Sequence, residues 1–298
     1  MAGTSHHRSV SSVTDARAAA AEIAADMRGG DLLDHAFERR VAHLDSRDRR
    51  WTQELVYGML RKRGQIDAWL AARARGGLAR LDADVADLLR LGTYQIVFMG
   101  SVPAYAGIAQ TVEQVKRRHG IGASTLANAV LRRLDRERAL LEGELTGLAG
   151  DPIDALATRY SHPRWLVARW VARWGEAETT ALLESNNVEA PIVVRPWGVV
   201  REQLEAMLEA AGVSSTEVPL LDDGLQLTSP VSLAELGAWR QGTFFIQDPA
   251  ATLVTRYAAI APGSTVIDLC AAPGGKSLEL ARTAGHVIAA DKSEARLA

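Results

Sequence analysis

The 298-residue sequence predicts a multidomain protein with an all-α region, then a small α+β region, and finally the start of an α/β region. Three observations support this prediction. Apolar residues recur with a helical period from residue 11 to about 138, short β-branched segments begin after residue 187, and a strand–loop–helix–strand pattern lies between 264 and 290. From these changes of pattern we predict domains at 1–142, 151–240 and 241–298.

Composition limits the kind of protein. Because 47% of the residues are apolar, the chain can form hydrophobic cores and is not predominantly disordered. Its single cysteine, Cys270, can form neither an internal disulfide nor a cysteine-rich zinc site, and we predict no metal site. The first residues lack the apolar segment of a secretory signal, and polar residues and Pro103 interrupt the longest uncharged stretch. We therefore expect a cytoplasmic protein that does not enter the membrane.

The all-α region is predicted to contain about seven helices. The first is rich in alanine and ends at Gly29–Gly30, and Asp31 begins the second. The third is capped by Ser46 or Asp48 and ends near Gly64. The remaining four helices are predicted at 66–75, 83–99, 103–119 and 123–138.

Positive charge is concentrated in the first half of the chain. Residues 1–150 carry 22 Lys and Arg against 18 Asp and Glu, whereas residues 151–298 carry 12 against 18. The basic residues fall into four clusters: Arg47, Arg49 and Arg50; Arg61, Lys62 and Arg63; Lys116, Arg117 and Arg118; and Arg132, Arg133, Arg136 and Arg138. Clustered cations suit phosphate binding, although a solvated helix face explains any single cluster equally well.

Three glycines and a proline between 143 and 152 indicate a boundary, after which helices resume over 154–184. Three tryptophans alternate there with three arginines: Trp165, Trp170 and Trp174 with Arg164, Arg169 and Arg173. Such residues can form a surface that faces RNA, but tryptophans at this spacing are more often buried. We therefore predict that these tryptophans belong to the core.

Strands and helices then alternate. A strand over 191–195, a helix over 201–211 and strands over 213–218 and 225–228 predict the small α+β region. The last region contains a helix over 250–260, a strand over 264–269, a helix over 276–284 and a strand over 286–290. The last three elements predict a β–α–β unit.

The loop of this unit, Asp268-Leu-Cys-Ala-Ala-Pro-Gly-Gly-Lys-Ser277, is the most informative part of the sequence. Small residues let a ligand approach the backbone, and the unpaired N–H groups at the start of the helix favour anionic or polar groups. Asp291 follows the next strand, where an acid accepts hydrogen bonds from ribose hydroxyls in doubly wound folds. An adenosine-containing ligand is therefore predicted.

Three such ligands compete for this loop. NAD requires Gly-x-Gly-x-x-Gly, and the first two glycines are missing at that spacing. A nucleoside triphosphate requires a glycine, four residues and then Gly-Lys-Ser, which the sequence satisfies except that Cys270 replaces the first glycine. Since Asp291 suits a ribose better than a magnesium ion, we favour S-adenosylmethionine and keep ATP as the alternative.

The segment from Val266 to Ser277 resembles the S-adenosylmethionine loop of the Nol/Nop/Sun family of RNA 5-methylcytosine methyltransferases. The preceding Phe245-Ile-Gln-Asp-Pro-Ala-Ala is also similar to its counterpart in this family. Further segments resemble the NusB-like helical domain and the connecting region of bacterial members: 55–61, 90–95, 110–113, 127–133, 161–165, 186–187 and Arg195. The resemblance implies a NusB-like RNA-binding domain, an α+β linker domain and the start of a Rossmann-like methyltransferase domain.

The resemblance also implies a function. The cofactor would be S-adenosyl-L-methionine, and the partner would be 16S rRNA, which would be methylated at carbon 5 of cytosine. The chain is expected to be a monomer. The implied cofactor-binding residues are Cys270, Ala271, Ala272, Pro273, Gly274, Gly275, Lys276 and Asp291.

The sequence lacks the cysteine that acts as the nucleophile in this family. In the family, a thiolate from a later Pro-Cys motif attacks carbon 6 of cytosine. No such cysteine is present here, so we expect a truncated chain without methyltransferase activity. Cys270 is predicted to be a small buried residue beside the cofactor rather than a nucleophile. A non-catalytic RNA-binding or antitermination module of NusB type is the alternative function.

Overall fold

The computed structural model describes residues 13–148, 150–229 and 231–293. The chain divides into two compact units, Met1–Val188 and Glu189–Ala298, which we call unit 1 and unit 2. In the described residues unit 1 is helical and unit 2 contains the strands. The predicted fold class is confirmed, whereas the three domain ranges stay predictions.

Nine α-helices form the described part of unit 1: α1 Asp15–Arg28, α2 Leu33–Val41, α3 Ser46–Arg61, α4 Arg63–Arg73, α5 Ala83–Val97, α6 Ala104–Arg136, α7 Leu141–Thr146, α8 Pro152–Arg159 and α9 Arg164–Asn186. The two helices predicted over 103–119 and 123–138 are both present within α6 and are separated at Gly120, whose φ of 80° is not helical. None of the described helices is long and apolar enough to span a bilayer.

The cap of α3 differs from the prediction. The side chain of Asp45, rather than Ser46 or Asp48, accepts a hydrogen bond from the backbone N–H of Asp48. An aspartate one residue before the helix can reach the third N–H of the first turn, which a residue already inside the helix cannot do. Helix α3 therefore begins at Ser46.

The core of unit 1 includes a helix that the sequence did not predict. In α7, Leu141 and Leu145 are each only 3% exposed and pack in the same cluster as Leu70 and Leu131. The buried guanidinium of Arg73 lies 2.7 Å from a carboxylate oxygen of Glu144 in the same helix. The helical core thus continues past the glycine at 143 that had suggested a boundary.

Unit 2 begins with an antiparallel sheet flanked by helices. The strands β1 Val193–Pro196, β2 Ser215–Val218, β3 Leu221–Leu227 and β4 Phe244–Ile246 pair in the order β2-β3-β1-β4. The helices in this part are α10 Arg201–Ala210, α11 Gly237–Arg240 and α12 Pro249–Tyr257. Leu204 and Leu208 of α10 pack with Val194 and Leu225 of the sheet and form the core.

The predicted β–α–β unit is present. Strand β5 Thr265–Asp268 and strand β6 His286–Ala289 pair in parallel, and helix α13 Gly275–Ala281 connects them. The register places Asp268 opposite Ala289 at the carboxyl ends of the strands. A loop that follows β5 and a residue that follows β6 therefore meet at one edge of this sheet.

Candidate functional site

The loop between β5 and α13 turns into the helix at Gly274. This residue has φ 107°, a left-handed conformation that favours glycine, and a Cβ added there would meet no atom within 4 Å. Helix α13 starts at the next residue, and its first intrahelical donor here is Leu278, which donates to Gly274 O. The backbone at the start of α13 is thus open to a ligand.

Asp268 connects the two ends of the loop through hydrogen bonds. One of its carboxylate oxygens accepts a hydrogen bond from the backbone N–H of Cys270 at 3.2 Å, and the other accepts from the hydroxyl of Ser277 at 2.8 Å. The last residue of β5 is therefore tied to the first turn of α13. The shape of the loop depends on this carboxylate.

Asp291 contacts the middle of the same loop. Its Oδ2 accepts a hydrogen bond from the backbone N–H of Ala272 at 3.2 Å, and its Oδ1 accepts from the N–H of Ser293 at 2.9 Å. A carboxylate accepts hydrogen bonds at both oxygens and ribose hydroxyls donate them, so this group is chemically suited to a ribose. The predicted ribose-binding acid and the loop are brought together, while its role stays a prediction.

Most of the loop amides donate to groups of the protein itself. The N–H groups of Cys270 and Ala272 donate to the carboxylates of Asp268 and Asp291, that of Ala271 donates to Ala290 O, and that of Gly274 donates to Ala271 O. A triphosphate-binding loop instead directs successive amides towards the phosphates. This hydrogen-bond pattern favours a ligand bound mainly by Asp291 and the start of α13.

The burial predicted for Cys270 is wrong. The thiol is exposed, and it is the next residue, Ala271, that is buried. Cys270 comes just after an exposed residue, Leu269, at the end of a strand with one uncovered face. The strand alternation expected from sequence stops where the loop begins, so it does not predict which loop residue turns inwards.

A buried charged cluster, which sequence reasoning missed, holds α13 against the antiparallel sheet. The guanidinium of Arg195 in β1 is fully buried and donates to Asp223 at 2.6 Å, to Glu279 of α13 at 3.2 Å and to the Thr252 hydroxyl at 2.6 Å. Two further arginines, Arg256 and Arg282, pair with the same carboxylates. Only the family resemblance had drawn attention to Arg195, because its partners are distant in sequence.

The cluster lowers the pKa of Asp223. Burial opposes the charged carboxylate, but the hydrogen bond from Arg195 and the positive charges of Arg195, Arg256 and Arg282 outweigh it. The pKa of Asp223 is consequently below its ordinary value.

Gln247 connects this cluster to the loop. Its Oε1 accepts a hydrogen bond from the hydroxyl of Thr252, the residue that also accepts from Arg195. Its buried Nε2 has no hydrogen-bond partner among the described residues and lies 3.4 Å from where a Cβ of Gly275 would be. A buried amide donor without a partner is costly, and its position beside the loop is compatible with a ligand acceptor.

In unit 1 the predicted basic clusters are partly neutralised. Arg117 pairs with Glu113, and Arg133 pairs with Glu137. Several other exposed cations in the described residues have no acidic partner within 4.0 Å: Arg47, Arg50, Lys116, Arg132 and Arg136. Phosphate binding is therefore expected to depend on this second group.

Comparison with known proteins defines the class first. Residues 14–136 match the NusB family, and residues 162–234 match the ferredoxin-like domain of RsmF/B-like methyltransferases. The crystal structure of the protein PH0851 matches 96% of this chain and 65% of its own, with a TM-score of 0.67 and 21% identity, and so shares the fold. The chain thus combines a helical domain that matches the NusB family with a domain that matches a ferredoxin-like family model.

Sequence identity to curated proteins shows which members of this class the chain resembles. The chain is 33% identical over 285 residues to ribosomal RNA small subunit methyltransferase B of Pseudomonas syringae pv. tomato and of Pseudomonas putida, covering 94% of this chain and 62% and 63% of those proteins. The protein of that name from Vibrio cholerae is 32% identical over 272 residues. The predicted resemblance is therefore confirmed, and the chain spans about three fifths of the length of these relatives.

Proposed function

We propose that this chain supplies the RNA-binding and cofactor-binding parts of an S-adenosyl-L-methionine-dependent methyltransferase that acts on carbon 5 of cytosine in 16S rRNA. The observation that carries the proposal is the contact between Asp291 and Ala272, which joins the acid after β6 to the loop after β5. The names of the relatives, which are small-subunit rRNA methyltransferases, support the substrate.

S-adenosylmethionine fits the loop better than ATP. A triphosphate would need the amides of Cys270, Ala272 and Gly274, which already donate to protein acceptors, and magnesium would need the hydroxyl of Ser277, which donates to Asp268. An adenosine without phosphates needs acceptors for its ribose hydroxyls, and Asp291 supplies them.

Each part of the site has a distinct role in this proposal. Asp291 accepts hydrogen bonds from the ribose, the open backbone at Gly274 admits the ligand, and the first N–H groups of α13 face its polar groups. The unpartnered Nε2 of Gln247 is a further donor beside the loop. When bound, S-adenosylmethionine supplies an electrophilic methyl group, and the protein positions it.

Attack on the base needs a thiolate that these 298 residues do not supply. Cys270 is the single cysteine of the sequence, and it lies in the loop assigned to the cofactor. We therefore propose that the chain by itself does not methylate RNA. Incubation with tritiated S-adenosylmethionine and unmodified 16S rRNA is expected to leave the RNA unlabelled, and label above a no-protein control would contradict this.

The second candidate function is a NusB-type RNA-binding module without catalysis. The exposed cations without acidic partners in unit 1, such as Lys116 and Arg132, favour RNA binding under either candidate. Thermal unfolding separates the two candidates, because a ligand that binds only the folded state raises the melting temperature. S-adenosylmethionine is expected to raise it and Mg·ATP to leave it unchanged. A purely RNA-binding module would respond to neither.

A further inference from the structure

Helix α9 carries an exposed row of aromatic and basic side chains. Trp165 is 63% exposed and Trp174 is 47% exposed, and the side chains of Arg169 and Arg173 are also exposed. We call these four residues the α9 stripe. The prediction that these tryptophans are core residues is wrong for Trp165 and Trp174. It is partly confirmed for Trp170, which is partly buried and packs against the small core of α8 and α9.

The geometry of the helix explains the exposure. Trp165, Arg169 and Arg173 are four residues apart and lie on one face of α9, where a full turn takes 3.6 residues. Val167 lies on another face and is fully buried. Trp174 is nine residues after Trp165, about half a turn further round the helix axis, so the four exposed side chains run obliquely across α9 rather than along one face.

The stripe is cationic and is not neutralised by the protein. No acidic residue occurs from 162 to 175. Arg164 pairs with Asp151 and Asp154, but within the described residues neither Arg169 nor Arg173 has an acidic partner within 4.0 Å. Glu176 and Glu178 follow only after the kink at Gly175.

The stripe also orients a guanidinium on an aromatic ring. The Cζ atom of Arg173 lies 5.6 Å from the ring centroid of Trp174, and the rings of Trp170 and Trp174 are 6.3 Å apart. Exposed indole rings contribute little to the fold, because folding is stabilised by apolar area that is removed from water. Flat aromatic faces next to guanidinium groups suit nucleobases and phosphates, respectively.

We propose that the α9 stripe binds an unpaired segment of RNA, with bases stacked on Trp165 and Trp174 and phosphates contacted by Arg169 and Arg173. This inference rests on the proposed function only in taking RNA as the partner; it adds a contact surface outside the NusB-family segment, and a preference for single strands. The two tryptophans are nine residues apart, about 13 Å along the helix and about half a turn around it, so a strand that contacts both must cross α9 obliquely. A protein partner would match the aromatic faces, but it would leave the two cations without a role.

The test compares single-stranded and double-stranded RNA. Fluorescein-labelled RNA, as an unstructured 12-mer and as the same 12-mer in a duplex, is titrated with the full chain and followed by anisotropy. Trp165→Leu and Trp174→Leu are each expected to weaken binding of the single strand about 5- to 100-fold, as loss of one stacked base does. Both variants are expected to change binding of the duplex far less.

Three controls keep the result specific. Trp165→Phe keeps an aromatic face and is expected to retain most of the affinity of the unchanged chain. Trp239→Leu removes a tryptophan that is 40% exposed in unit 2 and is expected to leave RNA binding unchanged. The double variant Arg169→Gln/Arg173→Gln is expected to reduce the slope of log affinity against log salt by about 1.4 for the single strand.

Three outcomes overturn the proposal. The first is single-strand binding by both leucine variants that equals that of the unchanged chain. The second is an equal loss of affinity for single strand and duplex, and the third is a concentration-dependent self-association that the leucine variants abolish. Titration with S-adenosylmethionine on the same samples distinguishes failure of this surface from failure of the proposed function, because the stripe variants keep the cofactor loop intact.

Discussion

At the scale of single residues, Arg195 has the largest expected effect on unit 2. Its guanidinium is fully buried between two carboxylates, one of which, Glu279, is also buried. Removing one member of a buried ion pair leaves an uncompensated charge. Arg195→Met is therefore expected to destabilise unit 2 by about 3 kcal/mol.

Chemical denaturation of the full chain measures this change. The matched control is Arg201→Met, because within the described residues Arg201 pairs only with the exposed carboxylates of Glu202 and Glu217. Exposed pairs contribute little, so this control is expected to cost less than about 1 kcal/mol. Equal effects of the two substitutions would mean that the buried cluster does not hold unit 2 together.

The Asp223 carboxylate gives the cluster a pH dependence. Its pKa is lower in the folded chain than the ordinary value of about 3.9, so the unfolded state takes up its proton first as the pH falls. The contribution of this carboxylate to stability is therefore complete above about pH 4 and is lost as the pH falls through the folded-state pKa.

Comparison of the unchanged chain with Asp223→Asn isolates this effect from other acids. The difference between their free energies of unfolding is expected to be largest at pH 7 and to shrink below about pH 4. The exposed neighbour Asp222, substituted as Asp222→Asn, is the control and is expected to show a small difference that varies little with pH. A constant Asp223→Asn difference from pH 7 to pH 2 would contradict the inferred role of the charge.

At the scale of secondary-structure elements, sequence patterns predicted regular segments well and their packing less well. The helical period located α1 to α6, and the strand pattern located β1, β2, β5, β6 and the end of β3, but it did not predict β4. The pattern did not predict α7, because Gly143 lies inside this helix of only six residues and Gly147 follows it directly. It also misplaced Trp165 and Trp174, since residue type indicates a preference for burial but not which face of a helix is covered.

Helix α7 gives a prediction at this scale. Leu145 is buried in the core of unit 1, whereas Leu148, just after the helix, is 36% exposed. Leu145→Ala is expected to cost about 2–4 kcal/mol of stability, and Leu148→Ala about 1 kcal/mol or less. Thermal unfolding followed by far-ultraviolet circular dichroism compares the two. Equal melting temperatures would mean that α7 is not part of the helical core.

At the scale of the whole molecule, the loop and Asp291 could be predicted from sequence because they follow consecutive strands of one β–α–β unit. The rule that the carboxyl ends of parallel strands share an edge was sufficient to bring them together. Arg195, Gln247 and Glu279 could not be predicted in this way. Their contacts join β1, α12 and α13, and only the three-dimensional fold decides these pairings.

The distribution of free cations predicts how RNA binding responds to salt. Lys116 and Arg132 have no acidic partner within 4.0 Å in the described residues, whereas Arg117 and Arg133 do. Lys116→Gln/Arg132→Gln is expected to reduce the slope of log affinity against log salt by about 1.4–1.8, as for two lost phosphate contacts. The matched variant Arg117→Gln/Arg133→Gln is expected to reduce it less. The reverse order would contradict a binding surface formed by the unpaired cations.

Calorimetric titration of the full chain with S-adenosylmethionine most directly tests whether the loop after β5 and Asp291 form a cofactor site. Binding is expected for the unchanged chain, with at least about tenfold weaker binding for Asp291→Ala, since loss of hydrogen bonds to a charged group costs about 1.5–3 kcal/mol. Asp222→Ala, which removes an exposed aspartate of the same unit, is expected to bind normally. Binding of Mg·ATP that Lys276→Ala abolishes and Asp291→Ala leaves unchanged, without binding of S-adenosylmethionine, would contradict the assignment.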